Sequence, residues 1–178
     1  MAIPPDPALP PTFRFYRGIE LGGAPQTIEG RPWLGDAQAR AQGLSTPNAA
    51  PVNDADDPLS PPTDPPTTRM LQSTIYVAGA GPLRIAQPAP NGTYAVYVYL
   101  VENYQSSYRS LDVTVEGTAA HTNWSAPRGG WEKLGPYLVE VADGALDIDI
   151  AATAGDPVVA GLAIFRDEGA ATPSPVVG

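Results

Sequence analysis

A chain of 178 residues with 43% apolar content has material for one well-packed domain and too little for two of ordinary size. Its 22 prolines and 18 glycines disfavour long helices and favour short strands joined by turns, so the expected class is all-β. A formal charge of -9 without a basic cluster repels phosphate backbones and anionic lipid, which excludes nucleic acid as a partner, and the absence of cysteine removes disulfides, thiolate metal sites and thiol nucleophiles.

The first stretch, Met1-Ala2-Ile3-Pro4-Pro5-Asp6, has neither the basic nor the apolar region of a secretory signal, and no run approaches the roughly eighteen apolar residues of a membrane span. The expectation is a chain with no signal peptide and no membrane insertion, working outside the cell or on the surface of an assembled particle. Residues 1 to 12 hold five prolines and read as an extended arm that docks on the domain or on neighbouring subunits. The domain itself is expected over residues 13 to 168, with an irregular insertion at 43 to 68 and a tail at 169 to 178.

Phe13 to Leu21 alternates, with Phe13, Phe15, Ile19 and Leu21 on one side, and stops at Gly22-Gly23. From Gly22 to Thr68 the scattered apolar residues predict a loop that wraps the sandwich, with a short strand or helical turn near Ala37 to Gln42. Strands resume at Ser73 to Val77 and Leu83 to Ala86. The turn Asn91-Gly92 then launches a strand apolar on both faces, with Tyr94, Val96, Val98 and Leu100 on one side and Ala95, Tyr97, Tyr99 and Val101 on the other. Neither face can be left in water, so this strand lies inside a sandwich. The segment Glu102 to Ser110 is expected as an exposed rim carrying Tyr104, Tyr108 and Arg109. Leu111 to Gly117 and Leu146 to Ile150 alternate apolar and carboxylate, Tyr137 to Val141 ends at an Asp143-Gly144 hairpin signal, and Val158 to Phe165 closes the set. About eight or nine strands make a jelly-roll β-sandwich.

Catalytic and metal constellations are thin. Asp147 and Asp149, like Asp112 and Glu116, share a strand face as solvated acids, with nothing in the sequence to raise one of them into a glycosidase acid. His121 is the single histidine, expected on a strand-end loop, and no serine sits in a nucleophile-elbow context. Asn53-Asp54-Ala55-Asp56-Asp57 has the oxygen density calcium wants, yet Pro58 replaces the required glycine, so no cofactor is expected and structural calcium there or elsewhere is a minor alternative.

The aromatics carry more. Tyr104, Tyr108, Trp124 and Trp131 fall at loops or strand ends, where a flat apolar ring beside polar groups matches the C–H face and hydroxyl rim of a pyranose. The competing reading caps the sandwich ends with Trp33, Trp131 and Tyr137.

Several short patterns in order resemble the malectin-like domains, a family of carbohydrate-binding jelly rolls. They are Tyr16-Arg17-Gly18-Ile19-Glu20-Leu21-Gly22-Gly23, the segment Ile28 to Asp36 with its spaced Gly30, Trp33 and Asp36, the strand Asn91 to Leu100 followed by Val101-Glu102-Asn103-Tyr104, the segment Val139 to Ile148, and Gly155 to Ile164. The resemblance implies a site for glucose-type oligosaccharides built from loop aromatics and an aspartate before the last strand, which by position are Tyr104, Asp156 and Tyr76. Tyr108, Trp124 and Arg109 join them from the reading of the residues. The expected function is non-catalytic recognition of a glycan or polysaccharide. The alternative is a structural or decoration protein on a virion or filament surface, self-associating through its Pro-rich termini.

Overall fold

The strand that is apolar on both faces is buried on both. In chain order the strands are β1 (Phe13–Glu20), β2 (Gln26–Ile28), β3 (Arg31–Gly35), β4 (Ala50–Asn53), β5 (Ser73–Tyr76), β6 (Leu83–Pro88), β7 (Gly92–Val101), β8 (Ser110–Val115), β9 (Thr118–Trp124), β10 (Trp131–Val141), β11 (Ala145–Ala154), β12 (Val158–Val159) and β13 (Gly161–Asp167). Helix α1 (Asp36–Ala41) follows β3 and helix α2 (Pro65–Leu71) precedes β5. The computed structural model describes residues 3–53, 58–79 and 81–169. Among the described residues no helix is long and apolar enough to cross a membrane.

Three sheets form a β-sandwich. The larger has the order β10-β7-β13-β1-β3-β2, the facing sheet β6-β11-β8-β9, and a small third sheet β12-β5-β4 closes one end. Tyr94, Val96, Val98 and Leu100 of β7 meet Leu111, Val113 and Val115 of β8 and Leu146, Ile148 and Ile150 of β11 in the central core. The alternating Asp112, Thr114, Asp147 and Asp149 fall between the buried positions of β8 and β11, as the period-two pattern requires.

The other face of β7 is covered rather than solvated. Ala95, Tyr97, Tyr99 and Val101 pack with Trp33, Met70, Leu71, Phe165, Phe13 and Leu9 in a second core. Trp33 stands edge-on to Tyr99 at 5.6 Å and lies over Gly18 and Gly161, where an added Cβ would come within 2.4 Å and 2.9 Å of the indole. The Pro-rich arm completes this layer on its own chain: Arg31 Nε donates to the carbonyl of Pro4 at 3.1 Å, and the Tyr97 hydroxyl donates to Oδ2 of the buried Asp6.

Four sequence expectations are corrected. There are thirteen strands among the described residues instead of eight or nine, because the 22–68 stretch contributes β2, β3 and β4 besides α1, Thr118–Trp124 forms β9, and the expected last strand divides into β12 and β13. Helix α2 was legible in Asp64-Pro65, since Asp64 Oδ1 accepts from the Thr67 amide at 2.8 Å and proline at the first helical position has no amide to leave unpaired. A bulge in β1 between Phe15 and Arg17 switches faces, so Phe15 meets Phe165 on the outer face whereas Tyr16, Ile19 and Leu21 join the central core. The Asp143-Gly144 turn makes no hairpin: β10 pairs with β7 and β11 with β6 and β8, so this turn carries the chain between sheets.

Candidate functional site

At the end of β7 the chain crosses to the facing sheet through residues 102–109, and this crossing forms one wall of a cleft. The loop is held by its neighbour: the amide of Gly129 donates to the Glu102 carbonyl at 2.7 Å, that of Glu102 to the Gly130 carbonyl at 2.9 Å, and that of Ser107 to the Ala126 carbonyl at 2.9 Å. Ser107 takes φ 57°, a left-handed turn that reverses the chain between Tyr104 and Tyr108. The result is a tyrosine pair with ring centroids 4.8 Å apart, edge to face.

Arg109 is the hub beneath that pair. Its Nη1 donates to Glu102 Oε2 at 2.6 Å and to Asn103 Oδ1 at 2.9 Å, its Nε donates to the Asp156 carbonyl at 2.8 Å, and its Nη2 donates to Asp156 Oδ1 at 3.0 Å. The Arg109 and Tyr104 amides also donate to the Glu102 carboxylate, at 2.9 and 3.2 Å. Glu102 is 0% exposed, so the expectation of an exposed rim over Glu102 to Ser110 is corrected for both charged residues. A buried carboxylate and guanidinium persist together only when each is paired and hydrogen-bonded, which this arrangement achieves. With all three nitrogens engaged, Arg109 serves as the brace that fixes Asp156, and its role is positioning.

The third sheet supplies the opposite wall. Val52 of β4, Tyr76 of β5 and Val158 of β12 join Asn103, Tyr104, Tyr108, Arg109 and Asp156 around a cleft of about 290 Å³. Asn103 Nδ2 donates to Thr74 Oγ1 at 3.1 Å, which in turn donates to the Val52 carbonyl at 3.1 Å, tying the two walls together. Gly155, at φ 70°, lies so close to Tyr108 that an added Cβ would sit 2.8 Å from its carbonyl oxygen and 3.0 Å from its ring. Tyr104 is 52% exposed at the mouth. Among the described residues the hydroxyls of Tyr76, Tyr104 and Tyr108 have no hydrogen-bond partner, and Asp156 Oδ2 accepts none. Two carboxylates on one guanidinium leave the cleft negative.

Five of the six residues selected from the sequence, Tyr76, Tyr104, Tyr108, Arg109 and Asp156, meet in this cleft, and Trp124 does not. Trp124 ends β9, is 3% exposed within the central core, and its indole Nε1 donates to Glu132 Oε1 at 3.3 Å. It does sit at a strand end, as expected, but pairing of β9 with β8 turns its ring inward opposite Leu111 instead of leaving it open to a ligand. His121 likewise lies within β9, opposite Val113. The residues missed were Glu102, Asn103, Val52, Val158 and Gly155. Glu102 carried one signal, since a carboxylate directly after an eight-residue apolar run has little water to face.

Glu116, Asp143 and Asp147 bring carboxylate oxygens within 4.8 Å of one another on the far side of the sandwich. Burial raises Glu116 above the usual carboxylate range, and burial, then Asp143 and Asp149, raise Asp147. The calcium expectation at Asp54 to Asp57 lies outside the described residues.

No family model matches the sequence and no curated protein matches it. Solved structures do match in fold. A β-glucuronidase of Bacteroides uniformis aligns with a TM-score of 0.68 at 13% identity, over 86% of this chain and 18% of the enzyme. The ANXUR2 extracellular domain of Arabidopsis thaliana aligns at 0.65 and 11% identity, over 88% of this chain and 50% of that one. A chain in the complex of the plant peptide RALF23 with FER and LLG2 aligns at 0.67 and 15% identity, over 86% and 49%. What is shared at such identities is the β-sandwich, and this chain spans half or less of the length of each match.

Proposed function

We propose that this chain is a non-catalytic carbohydrate-binding module of malectin-like type whose ligand, a neutral glycan, occupies the cleft between residues 102–109 and the β12-β5-β4 sheet. The observation that carries the reading is the convergence of Tyr76, Tyr104, Tyr108 and Asp156, three phenol rings whose hydroxyls have no partner among the described residues and one braced carboxylate, on a single opening. A pyranose stacks its C–H face on an exposed ring such as Tyr104 and offers vicinal hydroxyls to Asp156 and the phenols. The fold match to an extracellular plant domain supports the family resemblance and an extracellular or surface setting.

A catalytic reading finds less support. Glycosidic hydrolysis needs two carboxylates flanking the bond, and among the described residues Glu102 is sealed beneath Arg109 and Asp156 is the one carboxylate that lines the opening. Net negative charge also favours neutral over polyanionic sugars.

The test is a titration of the whole chain with neutral gluco-oligosaccharides, followed by amide chemical shifts and calorimetry, with heparin as the polyanionic comparison. Binding in the millimolar to micromolar range is expected, with shifts centred on 102–109 and 156–158, abolished in a Tyr104→Ala, Asp156→Asn double variant and absent for heparin. Glycan binding that maps elsewhere, or survives in the double variant, overturns the assignment.

A further inference from the structure

Among the described residues the two main sheets are open along one side. Strand β10 ends the six-stranded sheet with β7 as its partner, β9 ends the four-stranded sheet with β8 as its partner, and a groove of about 510 Å³ runs between them. Edge strands present unpaired amides and carbonyls, and proteins blunt them with prolines, bulges and charges. The first half of β10 is blunted in this way: Pro136 lacks an amide, a register shift lies between Leu134 and Tyr137, and Lys133 pairs with Glu29. The second half is not. Tyr137-Leu138-Val139-Glu140-Val141 stays in unbroken register with β7, and Leu138 is 60% exposed, one of three large apolar residues left open among the described residues.

We infer that this groove is a docking site for an extended basic peptide, which adds as a strand to β10 at residues 137–141 with its cationic side chains toward Glu116 and Glu140. The charge pattern selects this occupant. The rest of the described lining is uncharged, so the two glutamates set the sign of the groove. Asp143 and Asp147 extend the acidic end beside Glu116. Among the described residues none of these four carboxylates has an ion pair with lysine or arginine. Burial first, and then neighbouring carboxylates, raise Glu116 and Asp147, and among the described residues no ion pair offsets that rise. A second copy of the chain, carrying -9 itself, would bring acid against acid. Main-chain pairing then supplies affinity, and the alternation of apolar and basic side chains supplies selectivity.

The experiment uses the full chain and a fluorescent nine-residue peptide of alternating lysine and valine, compared by anisotropy with a peptide of equal charge whose central valine is proline. The expected result is at least tenfold tighter binding of the first peptide, with new hydrogen-exchange protection at residues 137–141. Leu138→Lys and Glu140→Lys, both at exposed or half-exposed positions, should each weaken it at least fivefold, and Tyr104→Ala should leave it unchanged. Equal affinity for the two peptides, or protection at β2 or β6 instead, overturns the proposal. So does concentration-dependent dimerisation by light scattering that Leu138→Lys abolishes, which would assign the edge to a second copy.

Discussion

Arg109 Nη1 meets Glu102 Oε2 at 2.6 Å beneath the cleft, with both side chains out of solvent, and the same guanidinium reaches Asp156 on the next wall at 3.0 Å. One guanidinium, through two ion pairs, thereby joins the end of β7, the start of β8 and the turn before β12. Removing one member leaves an uncompensated buried charge, so Arg109→Met should cost about 3–5 kcal/mol in urea unfolding. Adding Glu102→Gln should recover part of this loss, which a double-mutant cycle would read as coupling.

Tyr104 and Trp124, both chosen from the sequence as sugar platforms, should separate cleanly. Tyr104→Ala is expected to change stability by less than about 0.5 kcal/mol while weakening glycan binding about three- to tenfold. Trp124→Ala should cost about 3–5 kcal/mol of stability, since it empties a core position. Thermal unfolding and glycan titration of both variants check this contrast.

Gly155→Ala should disturb the cleft through Tyr108. Its left-handed φ and the 2.8 Å approach to the Tyr108 carbonyl cost about 1–3 kcal/mol and displace the ring. Gly144→Ala, also left-handed but with open space around it, should cost about 1 kcal/mol and leave glycan affinity at the wild-type value.

Glu20 predicts a pH dependence. Only 1% exposed, its carboxyl is pushed by burial from 4.5 up to about 7, with the Gln26 amide and then Arg69 acting in the opposite direction. Between pH 4.5 and 7 the unfolded chain releases this proton while the folded chain keeps it, so the contribution to stability is full below 4.5 and falls as pH rises through the window. The loss amounts to at most about 3 kcal/mol. Denaturation of Glu20→Gln at several pH values should show that slope removed and the protein more stable at pH 8.

Deleting residues 1–12 should lower the urea midpoint of the chain, because the deletion uncovers the outer face of β7 and removes Asp6 from Tyr97. Tyr97→Phe in the full chain isolates the hydrogen bond and should cost about 1 kcal/mol.

Local pattern determined much of this protein. Period-two alternation announced β8 and β11, an apolar run on both faces announced β7 as an interior strand, and proline with glycine announced the all-β class, because these signals depend on residues within one element. Family-like spacing brought Tyr76, Tyr104 and Asp156 to notice. Tertiary structure alone decided the rest. The bulge that turns Phe15 outward and Ile19 inward is set by pairing with β13, about 150 residues later in the chain. Trp124 is buried because β9 pairs with β8 at the sandwich edge, and Glu102 is buried because Arg109 folds back over it. The fate of a polar or aromatic side chain at an element's end depends on which distant strand arrives beside it, and no local window of sequence contains that partner.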